Sequence, residues 1–352
     1  MPNEKKQFRV LVVRLGAMGD ILHALPAVTA LRQAHPEWFL GWAVEPQWRG
    51  LLCAGDCVVR GPQMSLVDRI HLAPAKQWAR APLSMATLRD LQRVRRELRE
   101  AEYDICIDLQ GAVRSALLGR WSRASRLIGE DKPREPMARW FFTERVATRG
   151  VHVIEQAIEV VERVVGDVLP AMLPWLPVDE AAEAAAAQYT QPFVLVNPGA
   201  GWGAKRWPIE RYAEVALQLH AEGYAVLANA GPKEEALARE LARLTDGRVQ
   251  PVQPELTELI SIARRAALVI AGDTGPLHLA CALGRPVVGI FGPTDPARNG
   301  PFDCDFRVLR HPESKRDHTR RSEPEAGLLT ITPEAVIEAA RELLEMRRDR
   351  WR

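Results

Sequence analysis

The sequence predicts an α/β protein built as two doubly wound halves, each a parallel sheet covered by helices on both faces. Three observations lead there. The chain opens on a short β-branched apolar run at 10–15, turns through Gly16-Ala17-Met18-Gly19-Asp20, and enters a helical pattern, the signature of a strand, glycine loop and helix. Strand and helix patterns then alternate, as buried parallel sheets require. After a proline-rich stretch at 166–180 the same alternation restarts.

In the first half the opening helix carries Leu22, Leu25, Val28 and Leu31, and further strands are expected at 39–44, 67–72 and 103–109. Helical patterns at 83–101 and 112–122 lie between and after them. Pro170, Pro174 and Pro177 mark a linker, and the alanine run at 181–187 reads as the first helix beyond it. The second half offers strands at 193–197, 224–229, 268–272 and 286–291, with helices at 209–222, 232–245 and 276–283. The last segment, 333–352, has helical periodicity and ends in Arg347, Arg348, Arg350 and Arg352, which reads either as a solvated helix end or as a contact for anionic headgroups. Domain limits follow at 1–170 and 171–330, with 331–352 as a C-terminal helix and basic tail.

Composition narrows the function classes. With 352 residues, 47% hydrophobic and 26% charged, the chain is long enough for two cores. A formal charge of +2 supplies no global field for gripping nucleic acid or coating an anionic membrane, so partners must be found locally. The five cysteines show no zinc-ligand spacing and point to a reducing compartment. The polar opening residues lack the apolar core of a secretion signal, and no run approaches the ~20 apolar residues of a membrane span. A cytoplasmic protein, at most peripheral on a membrane, is expected.

Five strings carry candidate chemistry. The first loop is not GxGxxG, so dinucleotide binding through it is not expected. Asp20, at the helix start, reads as a cap or as a carboxylate able to accept a proton. In Asn197-Pro198-Gly199-Ala200-Gly201-Trp202-Gly203-Ala204-Lys205-Arg206, small residues let backbone N–H groups approach an anion and Lys205 adds charge. The spacing excludes a P-loop. In Asp273-Thr274-Gly275-Pro276-Leu277-His278 a strand runs into a helix opened by proline, so the N–H groups of Thr274 and Gly275 suit a diphosphate; His278 reads as packed or functional. Glu234, at a strand-to-helix junction, fits a ribose diol or a helix dipole. Asp303-Cys304-Asp305 is rejected as a metal-binding DxD because it lies beyond the last strong strand, and no metal ligand set is expected.

Taken together, VRLGAMGDILHALPAV, DLQGAVRSALLG, NPGAGWGAKRWP, AGPKEE and AGDTGPLHLACALGRPVVGIFGPTDP resemble the lipopolysaccharide heptosyltransferases of glycosyltransferase family 9, over roughly residues 8–301. The first-half pattern is nearer heptosyltransferase I than II. The resemblance implies a GT-B fold of two Rossmann-like domains facing a cleft, an N-terminal domain for the acceptor and a C-terminal one for the nucleotide sugar. It makes Asp20 the general base and Lys205 the diphosphate-binding lysine. Asn197, Gly199, Ala200, Gly201, Glu234, Asp273, Thr274, Gly275 and His278 become donor-side residues, and Gln110, Gly111, Arg114 and Arg134 acceptor-side ones. Ala200-Gly201 depart from the family by standing where threonines occur.

The implied reaction is inverting, metal-independent and cofactor-free transfer of heptose from ADP-heptose to an inner-core sugar, 3-deoxy-octulosonic acid or heptose, on a lipid-linked acceptor at the cytoplasmic face of the inner membrane. The rivals are a GT-B transferase for another nucleotide sugar, a nucleotide-sugar epimerase, a binding protein without turnover, and an oxidoreductase disfavoured by the missing GxGxxG.

Overall fold

The computed structural model describes residues 7–231, 234–314, 316–317 and 321–350, the side chains of 348–350 excepted. The chain divides into two compact units, Met1–Val178 and Asp179–Arg352. The first contains β1 (Arg9–Val13), α1 (Met18–Ala34), β2 (Phe39–Val44), β3 (Arg69–Leu72), α2 (Ala75–Arg80), α3 (Met85–Glu100), β4 (Ile105–Asp108), α4 (Val113–Trp121), β5 (Arg126–Glu130), β6 (Glu144–Val146) and α5 (Val153–Val165). The second contains α6 (Glu180–Ala186), β7 (Phe193–Asn197), α7 (Ile209–Ala221), β8 (Ala225–Asn229), α8 (Glu235–Leu244), β9 (Val249–Val252), α9 (Leu256–Arg265), β10 (Leu268–Gly272), α10 (Gly275–Ala282), β11 (Val287–Phe291), α11 (Pro296–Asn299), β12 (Phe306–Arg310) and α12 (Pro333–Arg350).

Each unit holds a six-stranded sheet, ordered β3-β2-β1-β4-β5-β6 in the first and β12-β11-β10-β7-β8-β9 in the second. All pairings within these sheets are parallel. The central strands β1, β4, β7, β10 and β11 are buried almost throughout, which is why they read as unbroken apolar runs. Both sheets reverse strand order at their centre, between β1 and β4 and between β7 and β10. Loops leaving the carboxyl ends of two such neighbours diverge to opposite faces and leave a crevice, the general ligand position of open α/β sheets.

The sequence left four strands unassigned: β5, inside the first sheet, whose buried run is only Leu127-Ile128-Gly129 between half-buried Arg126 and Glu130, and the edge strands β6, β9 and β12. β6 is three residues long, β9 contains Pro251, and β12 is half exposed with two arginines. An edge strand needs only one apolar face and tolerates proline, so its pattern is weak. Asp303 and Asp305 lie beyond β11, the last fully buried strand, as expected, but a weaker sixth strand, β12, follows them, and the Asp305 carbonyl accepts from Val287 N–H at 3.0 Å. They therefore sit at the amino end of the strands. Cys53 and Cys57 form a disulfide, a pairing that the reducing-compartment reading did not anticipate.

In the second unit α12 joins the main core through Val336, Ala340, Leu343 and Leu344. Arg347, predicted as part of a basic tail, turns inward and donates to the carbonyls of Ala266 and Ala267, both at 2.8 Å. Pro232 and Lys233, Arg352 and the side chains of Arg348 and Arg350 lie outside the described residues.

A buried polar cluster links β3 to α3 in the first unit. The His71 ring, fully buried, lies 2.7 Å from the Tyr103 hydroxyl and 3.7 Å from Glu97, and Arg93 donates to Glu97 at 2.9 Å. Burial pushes His71 down, whereas His71 and Arg93 hold Glu97 down to about 2. A carboxylate lowered on folding contributes stability above its unfolded value and loses it as pH falls toward the folded one. The stability difference between the native chain and Glu97→Gln, measured by denaturant unfolding, should therefore be largest above about pH 5 and shrink steadily below about pH 4.5. A difference independent of pH between about 6 and about 3.5, as ordinary deletion of a contact would give, would contradict this.

Candidate active site

The loops at the first reversal bring Asp20 and Gln110 into one bonded network. Asp20 is the third residue of α1, not its cap: the Ala17 N–H donates to its Oδ2 at 2.9 Å. Arg14, the first residue beyond β1, contacts Asp20 Oδ1 through Nη2 at 3.0 Å and donates from Nε to the Asp20 carbonyl at 3.1 Å. Its Nη1 donates to the Leu109 carbonyl, across on the loop after β4. One guanidinium thus spans both loops of the crevice, and Arg's planar fork suits that task. The Asp20 carboxyl keeps 31% of its surface exposed, so it is oriented without being sealed from solvent.

The loop after β4 hangs on Asp108. This carboxylate is buried and accepts from Gln110 N–H at 2.8 Å, Gly111 N–H at 2.9 Å and the Ser115 hydroxyl. Burial outweighs these donors and raises its pKa to about 6. Gln110 is itself buried, its carboxamide oxygen accepting from Leu15 N–H at 3.0 Å. Gly111 has φ +63°, and a Cβ there would lie 2.9 Å from the Arg134 nitrogen, so only glycine lets the 133–135 segment close on the loop. Glu135 completes the clasp: its N–H donates to the Gly111 carbonyl at 2.8 Å and its carboxylate accepts from Val113 N–H at 2.8 Å. The exposed side chains of Arg114 and Arg134 flank this clasp.

At the second reversal the loops after β7 and β10 meet through Lys205 and Asp273. Lys205 Nζ donates to the Asp273 carboxylate, and to the Asp273 carbonyl at 3.3 Å, and lies 4.4 Å from the Trp202 ring centroid. His278, from the first turn of α10, places Nε2 3.0 Å from the other Asp273 oxygen. Burial alone would raise Asp273, but His278 and Lys205 outweigh it and hold the carboxyl below the usual carboxylate range. Asp273 therefore faces a lysine and a histidine instead of opposing an incoming anion unscreened. Thr274 caps α10 through its backbone with no side-chain bond to the first turn, Gly275 opens the helix, and Pro276 follows as its second residue, one place later than the sequence suggested.

Asn197 ends β7, donating to the Gly199 carbonyl at 3.1 Å while accepting from Asn229 at 2.7 Å, which fixes where the glycine loop leaves the sheet. Glu234 lies directly against that loop: a Cβ on Gly199 would fall 2.1 Å from its carboxyl carbon. Ala200 is buried and Gly201 exposed. The sequence reading missed Arg14, Asp108, Ser115, Asn229 and Trp202. Asp108 had a signal, an aspartate closing a buried strand before Gln-Gly; Arg14 had only its place after β1.

The family model for glycosyltransferase family 9 (heptosyltransferase) matches residues 91–328. The chain belongs to glycosyltransferase family 9. It is 28% identical to lipopolysaccharide heptosyltransferase 1 of Pseudomonas aeruginosa, over 84% of this chain and 81% of that protein. Against lipopolysaccharide heptosyltransferase 1 of Escherichia coli K12 it is also 28% identical, over 94% and 98%. Among solved structures, Escherichia coli heptosyltransferase WaaC with ADP superposes with a TM-score of 0.79 at 26% identity, covering 96% of this chain and all of that one. The GT-B fold expected from the motifs is thus the fold of this family 9 glycosyltransferase.

The contact between Gly199 and Glu234 makes a sharp test of the second-unit loops in this transferase. Alanine at 199 fits an ordinary backbone conformation but forces the flexible end of Glu234 aside. Gly199 is buried, but only the end of that one flexible side chain has to shift, so Gly199→Ala should lower the melting temperature by no more than about 4 °C, roughly 1 kcal/mol. Amide hydrogen exchange over the loop from Gly199 to Lys205, read by mass spectrometry, should quicken. Exchange equal to the native chain would show that Glu234 can move without consequence.

Proposed function

We propose that this glycosyltransferase moves heptose from ADP-heptose to a hydroxyl of a lipopolysaccharide inner-core sugar, 3-deoxy-octulosonic acid or heptose, with inversion at the anomeric carbon. The observation that carries this reading is the distribution of charge at the two strand reversals. The first presents an oriented, part-exposed carboxylate, Asp20; the second presents a lysine and a helix start whose first turn receives no side-chain cap bond. The names of the relatives, and the ADP in the similar WaaC structure, support the donor.

In the proposed reaction the acceptor O–H gives its proton to Asp20 while its oxygen bonds to the anomeric carbon, and the bond from that carbon to the diphosphate oxygen breaks. The electron pair leaves with ADP. An ammonium has three N–H donors and Lys205 spends two on Asp273, so one remains for a phosphate oxygen. The first-turn N–H groups of α10 receive the rest of the developing charge. Glu234 holds the ribose diol from its place on the Gly199 loop, with Asn197, Gly199, Ala200 and Gly201 shaping the phosphate side. Arg114 and Arg134 meet acidic groups of the acceptor, for which guanidinium forks are suited. The acceptor is lipid-linked and the enzyme works at the cytoplasmic membrane face; no described helix is long and apolar enough to cross a membrane.

Asp20→Asn tests the base. The amide keeps an acceptor for Ala17 N–H, and the pair with Arg14 is partly exposed, so at most about 1 kcal/mol of stability is at stake. An amide has no useful basicity, and turnover should fall by about 10²–10⁴ with ADP affinity unchanged. Turnover within a few-fold of the native enzyme would remove Asp20 from that role.

Cationic and dipolar groups are proposed to do what a divalent ion does in other transferases. Transfer should accordingly persist in excess EDTA, followed by ADP release. Loss of turnover that added Mg²⁺ or Mn²⁺ restores would refute the metal-free mechanism.

A further inference from the structure

Charge is unevenly spread over this nearly neutral chain. Residues 75–100, 113–121 and 134–141 together carry eleven Lys or Arg against four Asp or Glu, although the whole sequence has a formal charge of +2. These segments are α2, α3, α4 and a 3-10 helix at Pro136–Phe141 with its approach. They form one layer on one face of the first unit's sheet: Val94, Leu98, Ala116, Leu118 and Ala138 pack in a single cluster with Leu11 and Val13 of β1. No side chain of α1 or α5 belongs to that cluster.

The outer side of the layer is apolar as well as basic. Leu83 is 89% exposed, Met85 64%, Leu88 41%, Met137 68% and Trp140 83%. On α4 the outward stripe is Arg114, Leu117 and Arg120, spaced by three residues along one helix face. Arg89 and Arg95 continue outward on α3 beside Leu88. Among the described residues no carboxylate pairs with Arg80, Arg89, Arg95, Arg114 or Arg120. The layer's acids are already engaged: Asp90 and Glu97 by Arg93, Glu100 by Arg96, and Glu135 by the Val113 N–H.

Exposed leucine, methionine and tryptophan side chains grouped among cations mark an interaction surface. A second copy docked symmetrically would set this basic layer against itself, with like charges opposed. An anionic bilayer satisfies both features, since guanidinium groups meet lipid phosphates while tryptophan and leucine enter the interfacial zone. We propose that this α2–α3–α4 layer, with Trp140 and Met137, is the surface by which the enzyme lies on an anionic membrane. The proposal deepens the reading of a lipid-linked acceptor and rests on it. The Gly111 clasp and Arg134 border the layer, so the saccharide would reach them while its lipid stays in the bilayer.

The test uses the full chain and vesicles of phosphatidylcholine, alone or mixed equally with phosphatidylglycerol, read by sedimentation. Binding is expected to the anionic vesicles only and to weaken with salt. The variants Leu88→Ser/Trp140→Ser and Arg89→Glu/Arg95→Glu change exposed positions outside the proposed site. Each should lose roughly tenfold or more in partitioning, with transfer to a soluble deacylated acceptor unchanged. Native-level vesicle binding by both variants, or none by the native chain, would overturn the proposal. So would a dimer, seen by sizing, that Leu88→Ser/Trp140→Ser dissociates without altering vesicle binding. The two readings separate cleanly: vesicle binding without transfer to any inner-core acceptor defeats the proposed function, and transfer without vesicle binding defeats the membrane surface.

Discussion

The constraint on which the rest of each unit depends is the reversal of strand order at the centre of a parallel sheet. β1 with β4, and β7 with β10, are neighbours whose following loops depart to opposite faces. Every group given a role in the proposed reaction stands at or beside one of these two places. Arg14 and Asp20 follow β1, Gln110 and Gly111 follow β4, Lys205 follows β7, and Asp273 follows β10. Buried strands can carry no chemistry along their length, so polar groups collect where the strands end.

Polar groups placed there must be satisfied in the absence of ligand, and the two reversals solve this by the same device. In the first, Arg14 binds a carboxylate on its own side and a carbonyl on the opposite loop. In the second, Lys205 binds a carboxylate and carbonyl of the loop across from it. A cation thus holds both lips of each crevice at fixed separation. Asp108 supports the first from below as an almost wholly hydrogen-bonded buried acid, and Asn197 with Asn229 supports the second. Orientation supplied in advance in this way lowers the reorganisation needed when charge develops.

Much of this was legible in the sequence, and what was not has physical causes. β2, β7 and β10 are found at the residues expected because both of their faces are buried and almost every position is apolar, the hydrogen-bonded Asn197 at the end of β7 excepted. β5 escaped because its buried run is only three residues long, and β6, β9 and β12 because exposed, charged or proline positions leave them no continuous apolar run. Asp20 and Lys205 were visible as polar residues just beyond apolar strands, and Glu234 by its strand-to-helix junction. Arg14 was not visible, because a lone arginine after a strand is equally a solvated charge. Its role comes from Leu109, 95 residues away.

By itself, then, the sequence determined the two parallel sheets, their central strands and the glycine loops, since these follow from local period, burial and backbone freedom. It also carried the family motifs. The tertiary structure alone decided which partner each charge takes: that Asp20 is a back-bonded third residue rather than a cap, that Asp273 is held by lysine and histidine, and that Arg347 turns onto backbone carbonyls. It also gathered three separate basic segments onto one face of one sheet. The reason is common to all of these. Hydrophobic period is read between near neighbours along the chain, whereas an ion pair or a shared face is fixed by distances that exist only once remote segments have packed.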